Sequence, residues 1–166
     1  MNELQRITTE YVEAEDRIRI TGELGANQTT VLWLSQRLLI RLLPHLFAWL
    51  EKQTKDGIPL DIVQSFAQEA AKAELTPEAP VENIHNESGW LVDAVDLKPD
   101  PEVLRMLFRS TSNDEAILAT NSNALRQWLV IIRALWSSAE WPKAIWPSWI
   151  EQKDDSLSKE TKLSLH

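Results

Sequence analysis

The chain has 166 residues, a formal net charge of −8 and no cysteine. This length is typical of one domain with a single core, and the acidic balance argues against a nucleic-acid-binding surface. The lack of cysteine excludes disulfides, a thiol nucleophile and thiolate metal ligands. Since the N-terminus has no apolar leader and charges interrupt the longest apolar run, we expect a cytoplasmic protein without a membrane-spanning segment.

The first part of the chain predicts a β-hairpin. Residues 1–16 place Leu4, Ile7 and Tyr11 near helical spacing, but threonines dilute the pattern, so a helix and an additional strand are both open. Residues 17–23 alternate charged and apolar side chains, which is the period of a half-buried strand. After a turn at residues 25–27, residues 29–34 return as the second arm.

Residues 31–50 form the densest apolar block, and we expect the fold to be organised around it. The strand-like part ends at Ser35, whose side chain can cap a helix. Beyond it, Arg37, Arg41 and His45 lie four residues apart on one narrow polar stripe, and leucines and aromatic residues cover the other sides. A helix that is apolar on most sides is either central in its domain or shared with a partner.

The remaining elements follow from the same patterns. A second amphipathic helix is predicted to start at Pro59 and to pack on the first through its apolar residues, which are Ile62, Val63, Phe66, Ala70 and Ala73. Residues 74–89 are acidic and aperiodic, which predicts an internal linker loop. Strands are predicted over residues 91–97, 103–109 and 116–120, and a helix over residues 123–137 with Arg126 and Arg133 on its polar side.

These elements predict an α+β fold of antiparallel strands in two hairpin-plus-helix units, with the helices packed on one sheet or two small sheets. Aligning residues 117–136 with residues 31–50 matches several apolar positions and places Asn121 opposite Ser35, which is compatible with an internal duplication. We expect residues 1–150 to form one domain and the polar residues 151–166 to be a disordered tail.

The order of these elements is similar to that of the head domains in a superfamily of centriolar and DNA-repair coiled-coil proteins. The resemblance covers residues 17–136, up to the helix that follows the sequence ATNSNALRQWL at residues 119–129. Those proteins carry a long dimerising stalk. Here the final helix lacks heptads and is broken at Pro142, so no such stalk is expected.

No pattern of catalytic residues emerges from the sequence. The three histidines, His45, His85 and His166, lie in unrelated segments without metal-ligand spacing, and no glycine-rich phosphate loop or serine elbow is present. We therefore expect neither a metal site nor a cofactor.

Two interpretations are open for the tryptophan-rich residues 136–150. The rings fold back as a lid on the core, or some of them stay exposed and anchor a partner. Our leading hypothesis is a non-catalytic interaction or assembly protein, expected to be a homodimer or a subunit, with an interface formed by Leu46, Trp49, Trp141, Trp146 and Trp149. The alternative is a domain or enzyme that binds a small anion between sheet and helices near Arg37, Arg41 and His45.

Overall fold

The computed structural model describes residues 2–25, 27–53 and 58–150. The fold is α+β, as predicted. The strands are β1 (Arg6–Val12), β2 (Arg17–Gly25), β3 (Gln28–Leu34), β4 (Trp90–Leu91), β5 (Ala94–Pro99), β6 (Leu104–Arg109) and β7 (Glu115–Thr120). The helices are α1 (Gln36–Glu51), α2 (Leu60–Glu74) and α3 (Ser122–Ser138), followed by the short 3-10 helices Lys143–Ile145 and Ser148–Ile150. The predicted tail, residues 151–166, lies outside the described residues.

The strands form two sheets. One has the order β1-β2-β3-β4 and is mixed, because β4 runs parallel to β3, and the other is antiparallel with the order β5-β6-β7. The segment expected to be one strand over residues 91–97 is divided between them, since the amide of Val92 bonds to the Trp33 carbonyl and that of Asp93 to the Arg109 carbonyl. The N-terminal segment also joins both sheets, because the amide of Leu4 donates to the Ile117 carbonyl at 2.7 Å.

Each predicted hairpin-plus-helix unit is present. The Ser35 hydroxyl accepts from the amide of Leu38 at 3.1 Å and starts α1, and the Asn121 side chain accepts from the amide of Ala124 at 2.8 Å and starts α3. Such caps satisfy amides that have no partner within the helix. The open choice at the N-terminus is resolved in favour of a strand, β1. Residues 75–89 form neither helix nor strand, whereas Glu74, the first residue of the predicted linker, is the last residue of α2.

The core lies between the sheets, α1, α3 and the tryptophan-rich segment. Leu39, Leu43 and Leu50 of α1 are fully buried. The Trp136 ring meets those of Trp141 and Trp146 nearly edge to face, with centroids 4.9 and 5.6 Å away. The segment therefore closes the core as a lid, and seven apolar residues of α1 are buried by their own chain, whereas Ile40 is 43% exposed.

Candidate functional site

Helix α2 lies with its apolar side outward. It forms where the sequence predicts it, but its buried side chains are Gln64, Gln68 and Ala71. Phe66 is 74% exposed and Ile62 is 49% exposed. The prediction that this helix packs on α1 through its apolar residues is therefore wrong in orientation.

The outward residues form one continuous surface, which we call the apolar stripe: Ile62, Phe66, Ala70 and Ala73. Their spacing of four, four and three residues places all four on the same side of the helix. Ile58 and Leu60, at the N-terminal end of α2, are also exposed, at 51% and 41%. An ordered apolar face of this kind is typical of a contact surface.

The inward side of α2 is held by amide groups. The Gln64 side chain donates to the Leu50 carbonyl at 3.3 Å, and that of Gln68 donates to the Arg126 carbonyl at 3.0 Å. The Arg126 guanidinium in turn donates to the Gln64 side-chain oxygen at 2.5 Å and lies 3.5 Å from that of Gln68. The two glutamines thus supply the side-chain acceptors for a guanidinium that is buried between α2 and α3.

Arg126 carries its charge into this interface. It is only 6% exposed, and its guanidinium lies over the Trp149 ring, 5.4 Å from the centroid. Burial lowers the pKa of Arg126, and no carboxylate within the described ranges lies at ion-pair distance from it. Two amide oxygens and an aromatic face therefore replace a counter-ion.

The polar side predicted for α3 is not exposed to solvent. Arg126 is covered by α2 and by Trp149. Arg133, also 6% exposed, lies over the Trp146 ring at 5.7 Å and donates to the Ser137 hydroxyl at 2.6 Å. The tryptophan-rich segment packs on this side of the helix, so α3 is enclosed from both directions.

The residues predicted as a protein interface lie in the core. Their exposed fractions are between 0 and 7%, for Leu46, Trp49, Trp141, Trp146 and Trp149. Phe47 of α1 contacts two of these rings, with centroids 5.5 and 5.9 Å away. Because the chain itself encloses them, we revise that prediction and place the candidate contact surface on α2.

The predicted anion-binding residues lie on the outer surface of α1. Arg37, Arg41 and His45 are all exposed, as their stripe predicts, and none of them lines any of three crevices of about 540, 640 and 300 Å³ found among the described elements. A crevice of about 640 Å³ does lie between β1, β7, α3 and the loop after α2. Its lining includes Ile7, Leu118 and Trp128 and none of the three residues of the basic stripe.

Over residues 2–25, 27–53 and 58–150, no three histidine, aspartate or glutamate side chains cluster as metal ligands would. In the same part of the chain, no helix has the length and apolar character needed to cross a bilayer.

Comparison with protein families, curated proteins and solved structures found no match. The resemblance to the coiled-coil superfamily therefore remains one of element order alone. The candidate site of this chain is therefore the apolar stripe on α2. The sequence pattern predicted that these residues pack against α1, whereas they form an exposed surface. The sequence of α2 alone does not mark this orientation, because the partner of Gln64 and Gln68 on the inward side is Arg126, about sixty residues later.

Proposed function

We propose that this chain is a non-catalytic protein–protein interaction or assembly protein whose contact surface is the apolar stripe on α2. The observation that carries the proposal is the exposure of Phe66, at 74%, on a helix whose opposite side is fixed by buried hydrogen bonds. A surface anchored in this way is preorganised, which lowers the entropic cost of binding.

The energetics favour a partner. Burying a phenylalanine or isoleucine side chain is worth about 1.5–3 kcal/mol each, so covering Phe66 and Ile62 supplies several kcal/mol to an association. An amphipathic helix that presents anchors four residues apart is a common recognition surface. In such contacts a few anchor residues contribute most of the binding energy, and Phe66 is the aromatic anchor of the apolar stripe.

A charge placed on the stripe tests the proposal. We expect Phe66→Glu to abolish the complexes that the full chain forms, measured by sedimentation velocity and by affinity capture from an extract of the source cells. The matched control is Ile84→Glu, because Ile84 is 57% exposed but lies in the loop before β4. Complexes that survive Phe66→Glu, or that both variants abolish equally, would contradict the proposal.

The second candidate function is binding of a small molecule, and the crevice beside β7 is the observation that favours it. Its volume of about 640 Å³ lies within the range of ligand sites, and its lining is mostly apolar. Thermal-shift screening with apolar and anionic compounds tests it: stabilisation that Ala124→Trp removes, and Arg41→Ala leaves intact, assigns a ligand to the crevice. Stabilisation that depends on Arg41 instead supports the anion site on α1.

A further inference from the structure

We propose that the crevice beside β7 binds the carboxyl end of an extended peptide, which pairs with the free edge of that strand. This inference rests on the second candidate function, for which it names the ligand class, and it is independent of the apolar stripe. The N-terminal segment already shows the pairing. The Ile117 amide donates to the Asn2 carbonyl at 2.8 Å, and the Leu4 amide donates to the Ile117 carbonyl at 2.7 Å. Residues 2–4 therefore run parallel to β7.

This pairing stops one step before Ala119. The backbone groups of every second residue in a strand point to the same edge. Because Ile117 points its amide and carbonyl toward the N-terminal segment, Ala119 points its own toward the same edge. The N-terminal segment has left this edge by then, since the Gln5 amide donates to the Glu23 carbonyl at 2.8 Å and the chain continues as β1. Within the described ranges, no group bonds to this edge of Ala119, which lines the crevice.

An extended peptide supplies both missing partners. A parallel strand offers a carbonyl and, two residues later, an amide, as Asn2 and Leu4 do for Ile117. An acetylated dipeptide is the shortest ligand with the same two groups. Its acetyl carbonyl accepts from the Ala119 amide, and the amide of its second residue donates to the Ala119 carbonyl. Main-chain bonds of this kind bind peptides to exposed sheet edges.

The direction of β7 brings the carboxyl end of the peptide toward Lys72. A peptide parallel to β7 points this end toward the first turns of α3. The last turn of α2 lies there, because the Gln127 side chain donates to the Ala71 carbonyl at 3.1 Å, and Lys72 lines the crevice. Lys72 is half-buried, and in the described part of the chain its ammonium has neither an ion pair nor a hydrogen bond. Glu74 also lines the crevice, but its carboxylate accepts from the Asn123 side chain at 3.3 Å. A terminal carboxylate is the charge that complements Lys72.

The opposite wall of the crevice is the loop after α2, which leaves the edge of β7 free. The loop is held on β1, since the Val81 amide donates to the Thr8 hydroxyl at 2.8 Å. Pro77 and Pro80 line the crevice and have no amide to donate to β7. Glu78, the remaining lining carboxylate, is exposed on this loop. The loop therefore bounds the crevice without pairing with Ala119.

Side-chain alternation assigns an apolar last residue to the peptide. In the N-terminal segment, Glu3 lies opposite Ile117 and is exposed, and the next residue, Leu4, is buried. The second residue of an acetylated dipeptide has the position of Leu4 one step further along β7, so its side chain points to the core side. The crevice is lined on that side by Leu118 and Trp128.

NMR titration of the full, ¹⁵N-labelled chain with N-acetyl-leucylleucine tests the site. We expect saturable binding with a shift of the Ala119 amide signal. Converting the carboxylate of the ligand into a carboxamide should weaken binding at least about tenfold, and Lys72→Gln should do the same, because hydrogen bonds to charged groups are the stronger kind. Lys98→Gln is the matched control, since Lys98 is exposed on β5 outside the crevice. Replacing the amide nitrogen of the second residue by oxygen should weaken binding about fivefold.

Two further variants locate the site. Ala124→Trp fills the crevice from α3 and should abolish binding, whereas Phe66→Glu should leave it unchanged. Equal binding of acid and carboxamide, binding that Lys72→Gln leaves intact, or loss of binding in Phe66→Glu overturns the inference. If the peptide does not bind while a compound without amide and carboxylate stabilises the wild-type chain but not Ala124→Trp, the peptide is the wrong ligand and the second candidate function stands. If no ligand effect depends on Ala124, both fail, and the contact function of the apolar stripe is unaffected.

Discussion

The hydrogen bonds between Arg126 and Gln64 hold the polar side of α2 inward, and they can be tested by a double-mutant cycle. Arg126→Met leaves the Gln64 side-chain oxygen buried without its donor, and it removes the cation from the Trp149 ring. Gln64→Leu leaves the buried guanidinium without its nearest acceptor. Combining the two replaces both partners by apolar side chains of similar size, which leaves neither group unsatisfied.

The expected magnitude follows from the burial of both groups. Hydrogen bonds to charged groups contribute about 1.5–3 kcal/mol, and an unsatisfied buried polar group costs about 1–3 kcal/mol. We therefore expect each single variant to lower the free energy of unfolding by about 2 kcal/mol. The double variant should lose less than the sum of the two, by about 1.5–3 kcal/mol of coupling.

Urea unfolding followed by tryptophan fluorescence measures the cycle. The control cycle combines Gln64→Leu with Arg109→Met, because Arg109 pairs with Asp96 at an exposed site on the three-stranded sheet. That pair of changes should be additive within about 0.5 kcal/mol. Additive costs in the Arg126–Gln64 cycle would refute the account of how α2 is oriented.

The remaining predictions concern two turns of the chain. Gly89 has φ +87°, and a Cβ there would lie 2.8 Å from the Val31 carbonyl oxygen, so Gly89→Ala should cost about 1–3 kcal/mol in the same urea assay. Asp16 accepts hydrogen bonds from the Tyr11 hydroxyl at 2.7 Å and the Trp141 indole at 2.9 Å, and these bonds lower its pKa. The ionised Asp16 carboxylate therefore stabilises the folded state above the ordinary aspartate pKa, and this stabilisation is lost as the pH falls through the lower pKa of the folded state. Asp16→Asn should accordingly lower the free energy of unfolding at neutral pH, and lower it less in acid. The hydrogen bond to Asp16 also raises the pKa of Tyr11 to about 12. The stability contributed by the neutral hydroxyl is therefore present below pH 10 and is lost between pH 10 and 12. An ultraviolet titration of the tyrosine, with Tyr11→Phe as the reference, measures this pKa.

Hydrophobic periodicity and capping residues predict most of the elements of this fold. The helix that begins after Ser35 and the one that begins after Asn121 are marked by local signals, since a capping side chain precedes an apolar repeat in both. The division of residues 90–99 between two sheets depends on the backbone partners of Val92 and Asp93, which are distant in the sequence. Local pattern therefore predicts the strand but not its break.

The side of α2 that faces the core was not predictable from its own sequence. Its hydrophobic period predicts burial of Phe66, and only the long-range contacts of Gln64 and Gln68 with Arg126, about sixty residues later, reverse the orientation. The tryptophan-rich segment has a similar effect, because it fills the core space that α2 would otherwise need to cover. The hydrophobic pattern of a single helix does not show which core contacts are made by the rest of the chain.

Neighbouring positions on α2 test the central claim most directly, because Ala70 is exposed and Ala71 is fully buried. The reaction of a maleimide with Ala70→Cys and with Ala71→Cys is measured on dilute, folded protein, with the rate in urea as the reference. The account predicts that Ala70→Cys reacts nearly as fast as the unfolded chain and that Ala71→Cys is strongly protected. Protection of Ala70→Cys with rapid labelling of Ala71→Cys would contradict it, because the apolar stripe would then face the core.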